Sequence, residues 1–218
     1  MSTLPDPVPD DPLPLVARWL DEVTASGRRR NPNAMALASS DALGHPSVRM
    51  VLLKELAAAG YLVFYTNYGS RKAAELDETR RAAAVVYWED LGRQVRFEGA
   101  VVRSPGSESD AYFASRPWRS QLNAWASQQS QPLDDPAELD ERAAAKAREL
   151  GGPHPGATVS TFPRPTNWGG YRLWFDAVEV WSEGADRFHE RVRYTRQLTP
   201  VDAFTFAATP WSWQRLQP

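Results

Sequence analysis

Leu15, Val16, Trp19, Leu20 and Val23 recur at the three- and four-residue spacing of one helix face. Asp11 and Pro12 precede them as a cap and a first-turn proline, and Gly27 follows, so the pattern predicts an amphipathic helix. From Ala34 the period shortens. Runs at 34–39 and 47–56 read as strands joined by Asp41-Ala42-Leu43-Gly44, a hairpin signal. Aromatic and β-branched residues mark further strands at 61–66 and 82–88. Between them, 70–76 reads as a short helix with Ser70 as its cap. A longer strand covers 93–103, with Gly99 marking a bulge or bend. Helices are predicted at 110–127, where Pro117 offers a break, and at 136–150, which stops at Gly151-Gly152. Strands return at 171–181, 187–194 and 211–216.

With about eight strands in hairpin order and helices inserted rather than alternating, the pattern predicts a mainly β, antiparallel barrel with added helices. No internal repeat and no linker divides it. The expected organisation is an N-terminal arm and helix over 1–30, then one domain over 31–218.

Composition narrows the function classes. Lys plus Arg number 25 against 27 Asp plus Glu, a net charge of -2, which leaves no basic excess for nucleic acid. Arg28-Arg29-Arg30 read better as cations complementing a helix C-terminus and sitting in water. The absence of cysteine excludes disulfides, thiolate zinc sites and cysteine nucleophiles. His45, His154 and His189 are scattered, and no acidic run has calcium-loop spacing, so no metal is expected. The start of the chain is rich in Pro and Asp and lacks a signal peptide's apolar core. The longest apolar run, 82–88, falls far short of the ~20 residues that span a bilayer. A cytoplasmic, soluble protein with no membrane partner is expected.

The common nucleotide-binding and hydrolase motifs are missing; cations take their place. At 65–72 a strand passes through a Gly-containing turn into a helix opening with Arg71 and Lys72. The positive dipole end repels cations there unless an anion lies between. One reading is phosphate binding, at ~1.5–3 kcal/mol per charge-assisted bond; the other is a solvated helix start with Glu75 as partner. Strand alternation sets Arg187, His189, Arg191 and Arg193 on one face, as an anion site or an exposed basic face. Arg49 and Lys54 fall on opposite faces of an ideal strand, to meet two anions or water. Arg116 and Ser120 stand four apart, on one face if a helix continues through Pro117. The nine tryptophans supply core area and do not by themselves mark a flat cofactor.

Taken in order, several motifs carry a resemblance. They are Asn31-Pro32-Asn33-Ala34-Met35, RMVLLK at 49–54, FYTNYGSRK at 64–72, RQVRFEG at 93–99 and AYFASRP at 111–117. SQLNAWASQQSQ at 120–131, NWGGYRL at 167–173, RFHERVRY at 187–194 and Arg215-Leu216-Gln217-Pro218 complete the set. From about residue 31 onward the chain resembles the pyridoxamine 5'-phosphate oxidase family. The resemblance implies an FMN-binding split β-barrel with a C-terminal dimerisation segment, working as a homodimer with FMN at the subunit interface. By matching motif positions, FMN contacts would be Arg49, Met50, Val51, Leu52, Leu53, Lys54, Tyr65, Thr66, Arg71, Lys72, Gln94, Gln129, Ser130, Trp181 and Arg191. Arg49, Arg71 and Lys72 would meet its phosphate. Lys54, Tyr112, Arg116 and Ser120 would hold the substrate phosphate, and Arg187 and His189 would lie over the pyridine ring as catalytic residues.

The implied reaction oxidises pyridoxamine or pyridoxine 5'-phosphate to pyridoxal 5'-phosphate. Hydride passes from C4' to flavin N5, and O2 then takes the electrons and leaves as H2O2; neither Arg187 nor His189 is assigned as a base. The sequence departs from the family pattern in places. The family's substrate-covering Leu-Arg-x-x-Tyr segment has no counterpart. Trp118-Arg119 stands where Arg-Gly is common, Asn123 replaces a glycine, Asp186 replaces an asparagine, and 197–210 is longer and more apolar. These changes bear on substrate affinity and lid closure rather than on flavin. Two alternatives remain: a phenazine-biosynthesis-type FMN oxidase of the same fold, acting on a tricyclic substrate without phosphate, and a non-catalytic FMN or pyridoxal-phosphate binding protein.

Overall fold

A computed structural model describes residues 4–151 and 162–218; His154 and most of the proline-rich 151–166 stretch lie outside the described residues. Two compact units make up the chain. The first comprises the described residues of Met1–Phe64, Glu75–Val102 and Arg172–Pro218, the second those of Tyr65–Ala74 and Arg103–Tyr171.

In the first unit, α1 (Leu13–Ala25) follows Pro12, whose missing N–H is no loss at a helix start. Asp11 Oδ1 accepts the Leu13 N–H at 2.9 Å. Leu13, Leu15, Val16, Trp19 and Val23 are buried along one face, each worth ~1.5–3 kcal/mol. Of the three arginines that follow, Arg29 departs from the expectation of a water-facing cation. Its Nε pairs with Asp90 at 2.6 Å and its Nη1 donates to the Tyr87 carbonyl at 2.9 Å.

The strands are β1 (Ala34–Ser40), β2 (Pro46–Leu52), β3 (Glu55–Ala57), β4 (Tyr61–Asn67), β5 (Arg81–Trp88), β6 (Arg93–Arg103) and β7 (Trp168–Ser182). After them come β8 (Glu190–Thr195), β9 (Leu198–Pro200), β10 (Phe206–Ala208) and β11 (Ser212–Leu216). One sheet runs β11-β8-β7-β6-β5-β1-β2, with β4 pairing both β3 and β7. The pairings β1–β2, β1–β5, β3–β4, β5–β6, β7–β8 and β8–β11 are all antiparallel, as the hairpin order predicts. Alternation on β1 and β5 turns Met35, Leu37, Ala84 and Val86 inward. β2 is the last strand in its direction and turns Val48 and Met50 outward, 69% and 65% exposed. The helices are α2 (Arg71–Thr79), α3 (Gly106–Ser115), α4 (Trp118–Ala126) and α5 (Ala137–Glu149). In the second unit Phe113, Leu122, Ala124, Phe162 and Trp168 form one apolar cluster.

Five expectations are revised. The run 47–56 is broken, because the Leu53 N–H turns to the Asn33 carbonyl at 2.9 Å while the Lys54 N–H turns to Val63 at 2.8 Å. The chain changes strand partner between those two residues. The helix expected over 110–127 is two helices, parted at Arg116-Pro117, where Arg116 is extended with ψ 149. Gly99 sits in unbroken register with Ala82 on β5, so it marks no bulge in that pairing. Its reason is close approach, since a Cβ would lie 1.7 Å from the Trp174 carbonyl oxygen. Arg187–His189 are not strand, so β8 carries only Arg191 and Arg193 of the four-residue face. The stretch 197–210 holds a small extra hairpin, β9–β10, whose three-residue strands are too short to show a period.

Candidate active site

In the second unit β4 ends at Asn67, and that residue closes the turn that follows. Its Oδ1 accepts the Gly69 N–H at 2.8 Å and its carbonyl accepts the Ser70 hydroxyl at 2.7 Å. Ser70 thus directs its hydroxyl to the turn and not, as a cap would, to the helix N–H groups. With α2 opening at once, Arg71 is exposed and Lys72 is buried. Lys72 Nζ donates to Thr66 Oγ1 at 3.1 Å, Gln129 Oε1 at 3.0 Å and Ser70 Oγ at 3.3 Å. The Thr66 hydroxyl donates to the same Gln129 oxygen at 3.0 Å. Ser130, next in the chain, has a left-handed backbone, φ 73. An ammonium, two hydroxyls and an amide are donor chemistry suited to a phosphate and to a flavin's polar edge. Thr66, Lys72 and Gln129 are thereby brought together, 57 residues apart or more for Gln129 against either partner.

The same unit stacks three aromatic rings. Tyr65 lies 4.0 Å from Tyr112 and 5.4 Å from Trp168, all near parallel. Arg116 sets its guanidinium carbon 4.6 Å over the Trp168 ring. Its Nη1 is buried with no hydrogen-bond partner among the described residues. Burial pulls the guanidinium below its ordinary pKa and the neighbouring Tyr112 opposes that, yet an arginine remains charged. A buried N–H left unpaired costs ~1–3 kcal/mol, so this atom is suited to an anion from outside. Ser120 stands half-buried in the first turn of α4, its N–H on the Pro117 carbonyl at 2.8 Å.

The first unit carries the other predicted residues. Arg49 and Val51 are half-buried on β2, Met50 and Leu52 face outward, Leu53 is buried and Lys54 is exposed in the link to β3. Register sets Tyr87 opposite Gln94 and Trp181 opposite Arg191, and the Tyr87 and Trp181 rings meet edge-on at 6.4 Å. Arg191 donates through Nε and Nη2 to Glu179 Oε1 at 3.0 and 2.9 Å, and through Nη1 to the Gln217 carbonyl at 3.0 Å.

Arg187 and His189 sit on the short loop between β7 and β8. Asp186 and Arg187 both have positive φ, 51 and 66, a costly conformation for residues with side chains. The Phe188 N–H closes on Ala185 at 2.9 Å, and the Gly184 N–H donates to His189 Nδ1 at 3.3 Å. The His189 ring lies 4.7 Å from Trp181. A cleft of about 750 Å³ opens here, lined in part by Glu89, Gly92, Asp186, Arg187 and His189. His189 thus stays beside Trp181, and shares the cleft with Arg187, through the loop and not through the strand alternation expected of them.

Sequence reasoning missed Trp168 as the floor under Arg116, Glu179 as the partner of Arg191, and Gly184 as the donor to His189. Trp168 lies inside the quoted NWGG motif, which was a signal; Glu179 and Gly184 offered none, because their partners depend on register and loop closure.

Across its full length the chain is similar to a solved structure of PhzG from Burkholderia lata 383 in complex with tetrahydrophenazine-1-carboxylic acid. The TM-score is 0.83 at 32% identity, covering 100% of this chain and 98% of that one. The antiparallel sheet and its helices are therefore a split β-barrel of the FMN-binding kind. Residues 24–150 match the family described as pyridoxamine 5'-phosphate oxidase. Residues 168–218 match the pyridoxine 5'-phosphate oxidase C-terminal dimerisation region. A pyridoxine/pyridoxamine 5'-phosphate oxidase of Cereibacter sphaeroides is 43% identical over 209 residues, 96% of each chain. One from Bordetella pertussis is 47% identical over 184 residues, 84% of this chain and 82% of that one. The chain belongs to the pyridoxamine 5'-phosphate oxidase family, a family of FMN-dependent oxidoreductases.

Proposed function

We propose that the protein binds FMN and oxidises pyridoxamine or pyridoxine 5'-phosphate to pyridoxal 5'-phosphate, with O2 as acceptor and H2O2 as by-product. The observation that carries this is Arg116, a cation on an aromatic floor with a buried N–H left over for an anion. A substrate bearing a phosphate meets that need, and a carboxylate would meet it too, so the anion alone does not choose between the two. The names of relatives at 43% and 47% identity agree with it.

By motif position, Tyr65, Thr66, Arg71, Lys72, Gln129 and Ser130 would hold FMN, as would the 49–54 strand, Gln94, Trp181 and Arg191. Lys54, Tyr112, Arg116 and Ser120 would take the substrate phosphate, and Arg187 and His189 would orient the pyridine ring. The flavin supplies the two-electron acceptor when bound. Because His189 Nδ1 accepts the Gly184 N–H, a neutral His189 carries its proton on Nε2 and presents a donor to the ring. The dimerisation-region match and the outward Val48 and Met50 on β2 support a homodimer, with a second copy covering that strand.

PhzG's likeness over the full chain keeps a tricyclic, phosphate-free substrate as the second reading. Anaerobic mixing of the FMN-loaded protein with pyridoxamine 5'-phosphate separates the outcomes. Bleaching of the yellow flavin, with peroxide formed on admitting air, is expected. Bleaching by tetrahydrophenazine-1-carboxylic acid but not by the phosphate ester would select the second reading, and no bleaching by either would leave only a binding protein.

A further inference from the structure

Arg49, one of the residues assigned to the flavin phosphate, has four of its five N–H donors turned to neighbouring groups of its own strands and of α2. β1 and β2 pair with Ser39 opposite Ser47 and Leu37 opposite Arg49, which sets Ser39, Ser47 and Arg49 on one face. Glu75 of α2, 4% exposed, closes over them. The Ser39 and Ser47 hydroxyls donate to Glu75 Oε2 at 2.5 and 2.6 Å. Each then accepts from Arg49, Ser39 from Nη1 at 2.6 Å and Ser47 from Nη2. The remaining Nη1 proton goes to the Leu37 carbonyl at 3.1 Å, and Nη2 also reaches Glu75 Oε2 at 3.2 Å.

A guanidinium has five N–H donors. Four on Arg49 are committed to this socket, and Nε–H is left over. The usual two-pronged grip of arginine on phosphate is therefore closed to Arg49 through its Nη pair. It can offer one N–H in a fixed direction, together with a charge that the Glu75 carboxylate partly offsets.

We propose that Glu75 is a positioning residue for cofactor selection, which with Ser39 and Ser47 locks Arg49 so that its Nε–H alone addresses the flavin phosphate. The inference rests on the FMN reading above. It makes discrimination between FMN and riboflavin, which lacks the phosphate, depend on a residue that never touches the flavin.

The test measures Kd for FMN and for riboflavin by flavin fluorescence in wild type, Glu75→Gln, Arg49→Lys and the double variant, each checked for its thermal transition. Glu75→Gln keeps the shape and removes the charge that orders the socket. The preference for FMN is expected to fall about tenfold, as when a charge-assisted bond gives way to a neutral one, while the riboflavin Kd holds. In the Arg49→Lys background the same change should have no further effect on preference. Equal weakening of both flavins, an unchanged or increased preference, or an undiminished effect in the Arg49→Lys background would each overturn the proposal. Should Glu75→Gln fail to fold, Ser39→Ala removes one bridge of the socket and must lower the preference alone. A wild-type protein with no preference for FMN would overturn the reading beneath it, and this inference with it.

Discussion

The Arg116 guanidinium carbon lies 4.6 Å above the Trp168 ring, while Nη1 of the same group is buried with no partner among the described residues. The ring holds the plane of the cation by stacking, and the plane fixes where the idle N–H points. Lysine would keep the charge and lose both the stacking and the planar fork. Arg116→Lys should therefore raise KM for pyridoxamine 5'-phosphate by about 10- to 100-fold, the range of one or two charge-assisted bonds. Steady-state peroxide release checks this, and an unaltered KM would remove Arg116 from the substrate site.

Arg187 and His189 share a loop with few backbone contacts beyond its own turn. Arg187→Ala and His189→Ala should lower turnover per bound flavin, by about 10²-fold if a positioning and charge-stabilising group is lost, while the absorbance of bound flavin stays near one per chain. Flavin lost with turnover per remaining flavin intact would show a cofactor role in place of a catalytic one.

Lys72 is buried beside Thr66, Ser70 and Gln129. Lys72→Met keeps the stem's bulk and removes the ammonium, leaving Thr66 and Gln129 bonded to each other. FMN affinity should drop by at least about tenfold, with little change in thermal transition. Dialysis against buffer and measurement of retained flavin test it, and a variant that keeps its flavin like wild type would contradict the assignment.

Glu98 accepts from Arg193 at 3.1 and 2.9 Å and from Arg96 at 3.1 Å. The Arg193 hydrogen bond, chiefly, holds its carboxyl below the usual glutamate range against the opposing effect of burial. A carboxylate lowered on folding adds stability above its unfolded value, about 4.3, and loses it as pH falls through the lower folded value. Glu98→Gln should be less stable than wild type at pH 7, and the gap should close as pH drops below about 4. Urea melts at several pH values would show it; a gap that stays constant with pH would assign the loss to packing.

Much of the sheet is legible in the sequence because β1, β5 and β6 alternate cleanly between inward and outward residues. The failures have physical causes. Residues 187–189 continue the alternation of β8 in residue type, yet Asp186 and Arg187 turn left-handed and take them out of the strand. The break at Leu53-Lys54 depends on which neighbour's carbonyl each N–H finds, which no local pattern records. For the candidate site, motif order identified the residues, but partners such as Glu75 for Arg49 required knowing that α2 closes over the β1–β2 face. Glu75 is not the solvated residue of that helix start; it is buried against two serines and Arg49.

Left-handed backbone at Asp186 and Arg187 sets two demands against each other. Glycine at either position would relax the loop and raise the melting temperature of the fold. At 187 it would remove the guanidinium outright, and at 186 the relaxation would let the neighbouring guanidinium and imidazole wander over a wider cone. Laboratory selection for heat resistance alone would thus be drawn toward these positions, and would erode the aim of the side chains they carry.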